Sequence, residues 1–438
     1  MVLHVTRREL IRRLAGYGAF SQLAGIPLLS AGCGGGSTIT PPPAGDGYPG
    51  ADDQLLDEIE RAGFLYFWEQ ADPNTGQVKD RALAVGNDTR TVSSIAATGF
   101  GLAALCIGDQ RTYLPSAQIV ARVQNALQFI LNQLPGQNGF FFHFVDMTTG
   151  ARAFTSEVSS IDTAILLCGV LTCRAHFQDP QIISLATQIY QQVNWPWMLN
   201  GGTTLSMGWT PENGFLTGRW DHYSELMMLY LLAIGSTTHA IPASSWSAWQ
   251  RPVMNYQGLS YISGADPLFV HQYSHAWFDF RNKKDAFANY FQNSAIATQA
   301  HKVFCESLRS QFSDYSSDVW GITASDSAIG YTVWGGPPFI GPIDGTVVPC
   351  ATGGSLPFLY TDTIHVLRWI RGHYPNAWQR YGYVDAFNPL TNWYDPDVLG
   401  IDLGIMVLMA ENQRTGFVWQ TFMNNAETAA GMTLAGFQ

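Results

Sequence analysis

From residue 51 onward, two kinds of helical period alternate along this chain, and that alternation narrows the folds open to it more than any other feature. Residues 53–70 carry apolar side chains at i, i+3 and i+4 (Leu55, Leu56, Ile59, Phe64, Leu65, Phe67), which predicts a helix with one buried face. Residues 91–107 are small and apolar on every side. Residues 116–134 are one-sided again, through Ile119, Val120, Val123, Leu127, Ile130 and Leu131. Residues 160–177 are apolar nearly all round and 181–193 are amphipathic. Predicted helices at 221–236, 285–312, 355–373 and 399–411 continue the series. A helix apolar all round must be covered on both sides, whereas a one-sided helix faces water. Two concentric helical layers satisfy both requirements. Ten to twelve helices of ordinary length fit the available residues. The reading is therefore all-α, an (α/α)6 toroid (a six-hairpin barrel). An α-solenoid would need a fixed sequence repeat, and none is visible. Loop-rich stretches at 135–157 and 321–354 interrupt the helices. In a toroid, the loops entering the inner helices build one rim, where a site forms.

The N-terminus reads as a targeting segment. Thr6-Arg7-Arg8-Glu9-Leu10-Ile11-Arg12 resembles a twin-arginine export signal. A short apolar stretch follows, ending in Leu29-Ser30-Ala31-Gly32-Cys33, which is similar to a bacterial lipobox. Residues 1–32 are expected to be removed, Cys33 to carry lipid, and 33–50, rich in Gly, Ser and Pro, to tether the domain 51–438. The expected location is outside the cytoplasm, in the periplasm or at the cell surface, on a membrane reached only through Cys33.

The formal net charge is −11, and losing residues 1–32 removes four Arg and one Glu, leaving about −14. That excludes nucleic acid and disfavours anionic polysaccharide as a ligand. Charged residues are only 13% of the chain and aromatic residues another 13%, a balance suited to neutral, hydroxyl-rich ligands. The five cysteines beyond Cys33 are odd in number and lie in apolar helical contexts. They read as buried thiols, with no zinc spacing.

Acids recur where buried helices begin. Asp221 and Glu225, four residues apart, would share one face of a first helical turn, with Trp220 and Tyr223 beside them. They also suit a plain helix start, Asp221 as N-cap and Glu225 in the first turn. Glu157 and Asp162 precede and open the most apolar helix, and Asp402 opens the last one. Several carboxyl groups at the mouths of inner helices would face one cavity. Carboxyl groups among aromatic rings are what glycoside hydrolysis uses: one protonates the leaving oxygen, another activates water or attacks. Burial among Trp220, Tyr223 and Leu226 makes Glu225 the expected general acid. Glu157, Asp162, Asp221 and Asp402 remain candidates for the base or for holding sugar and water. His271, His275 and Asp279, spaced i, i+4 and i+8, could form a metal face but lack the Glu of an H-E-x-x-H motif and a third His. A polar cleft wall with Trp277 is the better reading, and no metal or cofactor is expected. The ordered loop 321–346 offers Asp326 and Trp334, the latter as a sugar platform. Its glycines have no phosphate-loop spacing.

Residues 220–225 (Trp-Asp-His-Tyr-Ser-Glu), 230–236, 271–281, 321–326, 334–338, 341–350 and 385–389 resemble the bacterial glucoamylase-like family, related to the β-1,2-glucanases of glycoside hydrolase family 144. The resemblance runs from about residue 55 to the C-terminus. It implies an (α/α)6 barrel, no metal, and inverting hydrolysis of β-1,2-glucan. Its essential acids correspond to Glu157 and Glu225, with Asp402 as a further site acid. The expected enzyme is endo-acting and works as a monomer. The alternatives are exo-acting release of sophorose, transfer to a second glucan, a lipoprotein that binds glycan without cleaving it, and, most weakly, a polysaccharide lyase.

Overall fold

A computed structural model describes residues 45–265, 267–337 and 341–438. The expected signal at 1–32 and Cys33 lie outside them. The helices in chain order are α1 (Asp52–Glu69), α2 (Ile95–Gln110), α3 (Ser116–Asn132), α4 (Ser160–His176), α5 (Pro180–Gln191), α6 (Trp195–Leu199), α7 (Met227–Ile234), α8 (Tyr290–Ser307), α9 (Pro349–Gly353), α10 (Tyr360–His373), α11 (Gly400–Arg414), α12 (Phe417–Phe422) and α13 (Ala426–Leu434).

The two kinds of period become two kinds of environment. Helices α2, α4, α7, α9 and α11 are buried along nearly their whole length. Helices α1, α3, α5 and α10 bury one face. The buried helices are neighbours of one another: α4 packs against α2 and α7, and α11 against α2 and α9. Between α7 and α9 lie two short 3-10 turns, Leu268–His271 and Tyr273–Ala276. They are joined to α7 by Met228 N–H donating to Ser274 Oγ at 3.0 Å, and to α9 by Gln272 Nε2 donating to the Ala351 carbonyl at 2.8 Å. The one-sided helices cover this set, α1 on α2 and α11, α5 on α4, α13 on α7, and α10 on α9. Helices α2 and α4 touch backbone to backbone. A Cβ placed on Gly169 would lie 2.1 Å from the Gly99 carbonyl oxygen, and one on Gly99 2.4 Å from that of Ile165. Only glycine allows that spacing.

Short antiparallel ladders hold the N-terminal ends of these helices level. Val92–Ser94 runs directly into α2 and pairs with Phe144–Asp146. Val158–Ser159 runs into α4 and pairs with Gly208–Thr210. Asp397–Leu399 runs into α11 and pairs with Arg81–Leu83. Ser94 and Ser159 cap their helices through their side chains.

Five expectations need correction. The helix expected over 221–236 begins only at Met227. The backbone at 221–223 is already committed elsewhere: Tyr223 N–H donates to Gln250 O, the Asp221 carbonyl accepts from Gln250 N–H, and the Tyr223 carbonyl accepts from Gly264 N–H. Asp221 and Glu225 therefore do not share a helical face. The span 355–373 holds the single helix α10 only from Tyr360, with the short α9 ahead of it, and 285–312 is helical only over α8. The spacing of His271, His275 and Asp279 does not make a face either, because the helix there is two separate 3-10 turns. Finally, the tether does not reach residue 50. Arg368 of α10 binds the Asp46 carboxylate and donates to the Gly50 and Tyr48 carbonyls, and Tyr48 is buried, so the packed domain starts by Asp46.

Candidate active site

The rim formed by the N-terminal ends of α2, α4, α7 and α11 gathers most of the candidate acids. Glu157 lies just before the strand that enters α4, and Asp162 lies in the first turn of α4, whose N–H groups face it. Asp162 N–H donates to Ser159 Oγ at 3.0 Å, and the Ser159 hydroxyl donates back to the Asp162 carboxylate. Between the two acids stands His143, with Nδ1 3.3 Å from Glu157 Oε1 and 3.7 Å from Asp162 Oδ2. The His143 ring stacks on Phe144 at 3.8 Å, and its backbone N–H donates to the Glu157 carbonyl at 2.9 Å.

Glu225 ends the loop before α7 and is 2% exposed. Its carbonyl accepts from Ser274 Oγ at 2.7 Å. The adjacent Tyr273 OH donates to Asp402 Oδ1 at 3.4 Å. One 3-10 turn thus contacts both acids, Glu225 on α7's side and Asp402 on α11's. Trp220 Nε1 donates to Ser160 Oγ at 2.9 Å, which ties the 157–162 group to the 220–225 loop. Glu157, Asp162, Glu225 and Asp402 are all buried.

A second group of acids adjoins Asp402. Asp326 Oδ2 pairs with Arg81 Nη1 at 2.5 Å, and Asp397 takes a two-pronged contact from Arg90, both prongs at 2.6 Å. Asp326 N–H donates to Asp385 Oδ2 at 2.8 Å, and Asp397 N–H to Asp395 Oδ1 at 3.0 Å. Burial drives Asp395 up to about 8, with the Asp326 charge adding to it. Burial also raises Asp385 well above the usual carboxylate range, reinforced by Asp402, Asp395 and Asp326, and it raises Asp326 in spite of Arg81. Among the described residues, two triads have donor atoms close enough to hold a cation: His143, Glu157 and Asp162, and Asp326, Asp395 and Asp397. In the second, guanidinium groups already take up two of the three carboxylates, so it is read as an ion-pair network. In the first, the imidazole Nδ1 lies within ion-pair distance of both carboxylates.

The aromatic residues expected at the site, Trp334 as a sugar platform among them, are not open to solvent. Trp220, Tyr223, Trp277 and Trp334 are each buried, and Trp334 Nε1 donates to Ser325 Oγ at 2.9 Å. Tyr223 stacks on Tyr290. His271 and His275 are buried too, bonded to Ser263 and Ser294 through Nε2, and burial holds both near pKa 3, so they are neutral. All of these side chains are packed into the interior. Asp221, half-exposed and bonded to His222 Nδ1, stands apart from the other acids. An aromatic side chain close to the Glu157 group that does face outward is Phe154, 54% exposed. It sits three residues before Glu157, edge-on to Phe144, with left-handed φ at both Phe154 and Thr155. Sequence reasoning missed Phe154, His143, Arg81, Arg90, Asp385, Asp395 and Asp397. The dense run Phe140-Phe141-Phe142-His143-Phe144 was the available signal for His143.

A family model described as "Putative glucoamylase" matches residues 217–426. An exo β-1,2-glucooligosaccharide sophorohydrolase (non-reducing end) of Parabacteroides distasonis is 28% identical over 425 residues, 88% of this chain; the chain spans 58% of that relative's length. The crystal structure of a putative glucoamylase from Bacteroides uniformis superposes with a TM-score of 0.83 at 26% identity, covering 89% of this chain and 98% of that one. The endo-β-1,2-glucanase of Chitinophaga pinensis, solved with sophorotriose and glucose, superposes with a TM-score of 0.81 at 27% identity, covering 89% and 99%. The resemblance to glucoamylase-like proteins and β-1,2-glucanases expected from the motifs holds, and the fold is the mostly helical one of those structures.

Proposed function

We infer that this glucoamylase-like chain is a glycoside hydrolase that cleaves β-1,2-glucan internally, with inversion, from a site at the mouth of an (α/α)6 toroid. The observation that carries the reading is the placement of Glu225 and Asp402, two buried acids at the entrances of the buried helices α7 and α11, which one 3-10 turn touches through Ser274 at the Glu225 backbone carbonyl and through Tyr273 at the Asp402 carboxylate. Glu225 is assigned as general acid and Asp402 as the acid that activates water. Glu225 gives its proton to the departing 2-oxygen as the bond from that oxygen to the anomeric carbon breaks. A water attacks the anomeric carbon from the opposite face and passes a proton to Asp402. The two carboxyl groups need room for that water, roughly 6.5–9.5 Å between them, or a relay through a substrate hydroxyl. Glu157, Asp162 and Asp326, with their His143 and Arg81 partners, are assigned to hold sugar hydroxyls. Asp221, half-exposed, is left without a role.

Endo action is favoured because the chain accounts for 99% of the length of the endo-β-1,2-glucanase and 58% of that of the sophorohydrolase. The product series from linear β-1,2-glucan tests this. Mixed oligosaccharides early in the reaction support endo cleavage, and sophorose alone throughout overturns it. The export signal at 1–32 and lipid on Cys33 complete the proposal, placing the enzyme outside the cytoplasm. Loss of membrane association in Cys33→Ala is the expected result, and unchanged association would refute the anchor.

A further inference from the structure

Asp385 lies beside Asp402 at the entrance to α11, and the reaction as assigned above gives it no part. Its side chain is 4% exposed. Oδ2 accepts the Asp326 backbone N–H at 2.8 Å. Oδ1 meets no N–H or O–H donor among the described residues, and the Asp402 carboxyl group shares its enclosure. Two carboxylates have only acceptors, so a bond between two carboxyl groups exists only when one carries a proton. Asp385 and Asp402 also line the same narrow cavity, walled by Cys350, Tyr383 and Met406.

We propose that Asp385 is a positioning residue that keeps one proton on Oδ1, donates it to the Asp402 carboxylate, and so holds Asp402 ionised and aimed at the attacking water. This rests on the assignment of Asp402 above. The surroundings decide which of the two acids carries the proton. Asp385 has the negative charges of Asp402, Asp395 and Asp326 around it and is wholly enclosed, which favours its neutral form. Arg81 is bonded to Asp326 and Arg90 to Asp397, so each of these cations is taken up by another carboxylate. Asp402 has Tyr273 OH as a second donor, from the 3-10 turn, which favours its charged form. From α9, the Cys350 thiol faces the pair, and it is buried. A neutral donor bonded to a carboxylate stabilises the anion, so Asp402 stays a base to lower pH than it would without Asp385. The pair titrates together, and its first proton loss sets the acid limb of the rate profile.

The test uses three variants, each checked for fold by circular dichroism. Infrared difference spectra of wild type against Asp385→Asn, in neutral buffer, should show the carbonyl stretch of a buried protonated carboxyl group in wild type and its loss in the variant. Absence of that band overturns the proposal. In pH profiles of kcat/KM, Asp385→Asn keeps a donor to Asp402 and should keep the acid limb near its wild-type position. Asp385→Ala should move that limb up by about one pH unit, about a tenfold loss below it. An unmoved limb in Asp385→Ala, with the band present, also overturns the positioning role. Asp402→Asn separates the two claims: near-normal turnover there refutes the assignment of Asp402, whatever the infrared result. If Asp385→Ala fails to fold, the band and the Asp385→Asn profile, in which a displaced limb would count against the proposal, still decide it.

Discussion

Replacing Asp395 by Asn should stabilise this protein, and more so as pH rises. The carboxyl group is 5% exposed; Oδ1 accepts the Asp397 N–H, and Oδ2 meets no donor among the described residues. Burial, with Asp326 nearby, raises its pKa from 3.8 to about 8. Between those two values the unfolded chain releases a proton that the folded protein keeps. Rising pH therefore favours unfolding across that window, and the loss levels off once the folded form also ionises near pH 8. At pH 7 the unfolded group has gained about three pH units of ionisation at about 1.4 kcal/mol each, a penalty on the order of 4 kcal/mol. Asparagine keeps an oxygen for the Asp397 N–H and cannot ionise, so it escapes the penalty. Urea unfolding of wild type and Asp395→Asn, followed by tryptophan fluorescence from pH 4 to 8.5, should show near-equal stabilities at pH 4 and a gap of several kcal/mol in favour of the variant by pH 8. Parallel stability curves would refute the reasoning.

The packing makes further predictions. Gly169→Ala puts a methyl group against the Gly99 backbone and should cost about 1–3 kcal/mol or more, read as a drop in urea midpoint. Phe154→Ala should raise KM for long β-1,2-glucan several-fold with little change in kcat, as loss of an outward aromatic contact would, whereas unchanged KM would remove Phe154 from the binding surface. Arg368→Ala should release the segment at Asp46 and Tyr48 from α10, seen as new cleavage near residue 50 in limited proteolysis, with activity retained.

The layering was legible because burial acts on every turn of a helix. A helix covered on both sides needs apolar residues all round, and α2, α4, α7 and α11 have them. The start of α7 was not legible, because its limit is set by hydrogen bonds from Gln250 and Gly264, far along the chain. Aromatic residues can be counted in a sequence, but their exposure depends on packing, so Trp334 reads as a sugar platform and folds as a buried side chain. The acids at helix mouths were visible one by one. The meeting of Asp385 and Asp402 at one cavity was not, since the chain around Asp385 is held by two-residue ladders such as Phe387–Asn388 with Trp393–Tyr394 that leave almost no periodic trace. Arg90 meets Asp397 from 307 positions away, beyond the reach of local pattern.

The central claim is that Glu225 delivers the proton to the leaving sugar. Steady-state kinetics of wild type and Glu225→Gln on linear β-1,2-glucan, with β-1,3- and β-1,4-glucans as controls, test it most directly. The substitution removes a proton donor and little volume, so kcat on β-1,2-glucan should fall by roughly 10²–10⁴-fold while glycan binding and the unfolding midpoint stay close to wild type. Turnover near the wild-type rate in Glu225→Gln would contradict the assignment, and no turnover of β-1,2-glucan by the wild type would contradict the proposed function itself.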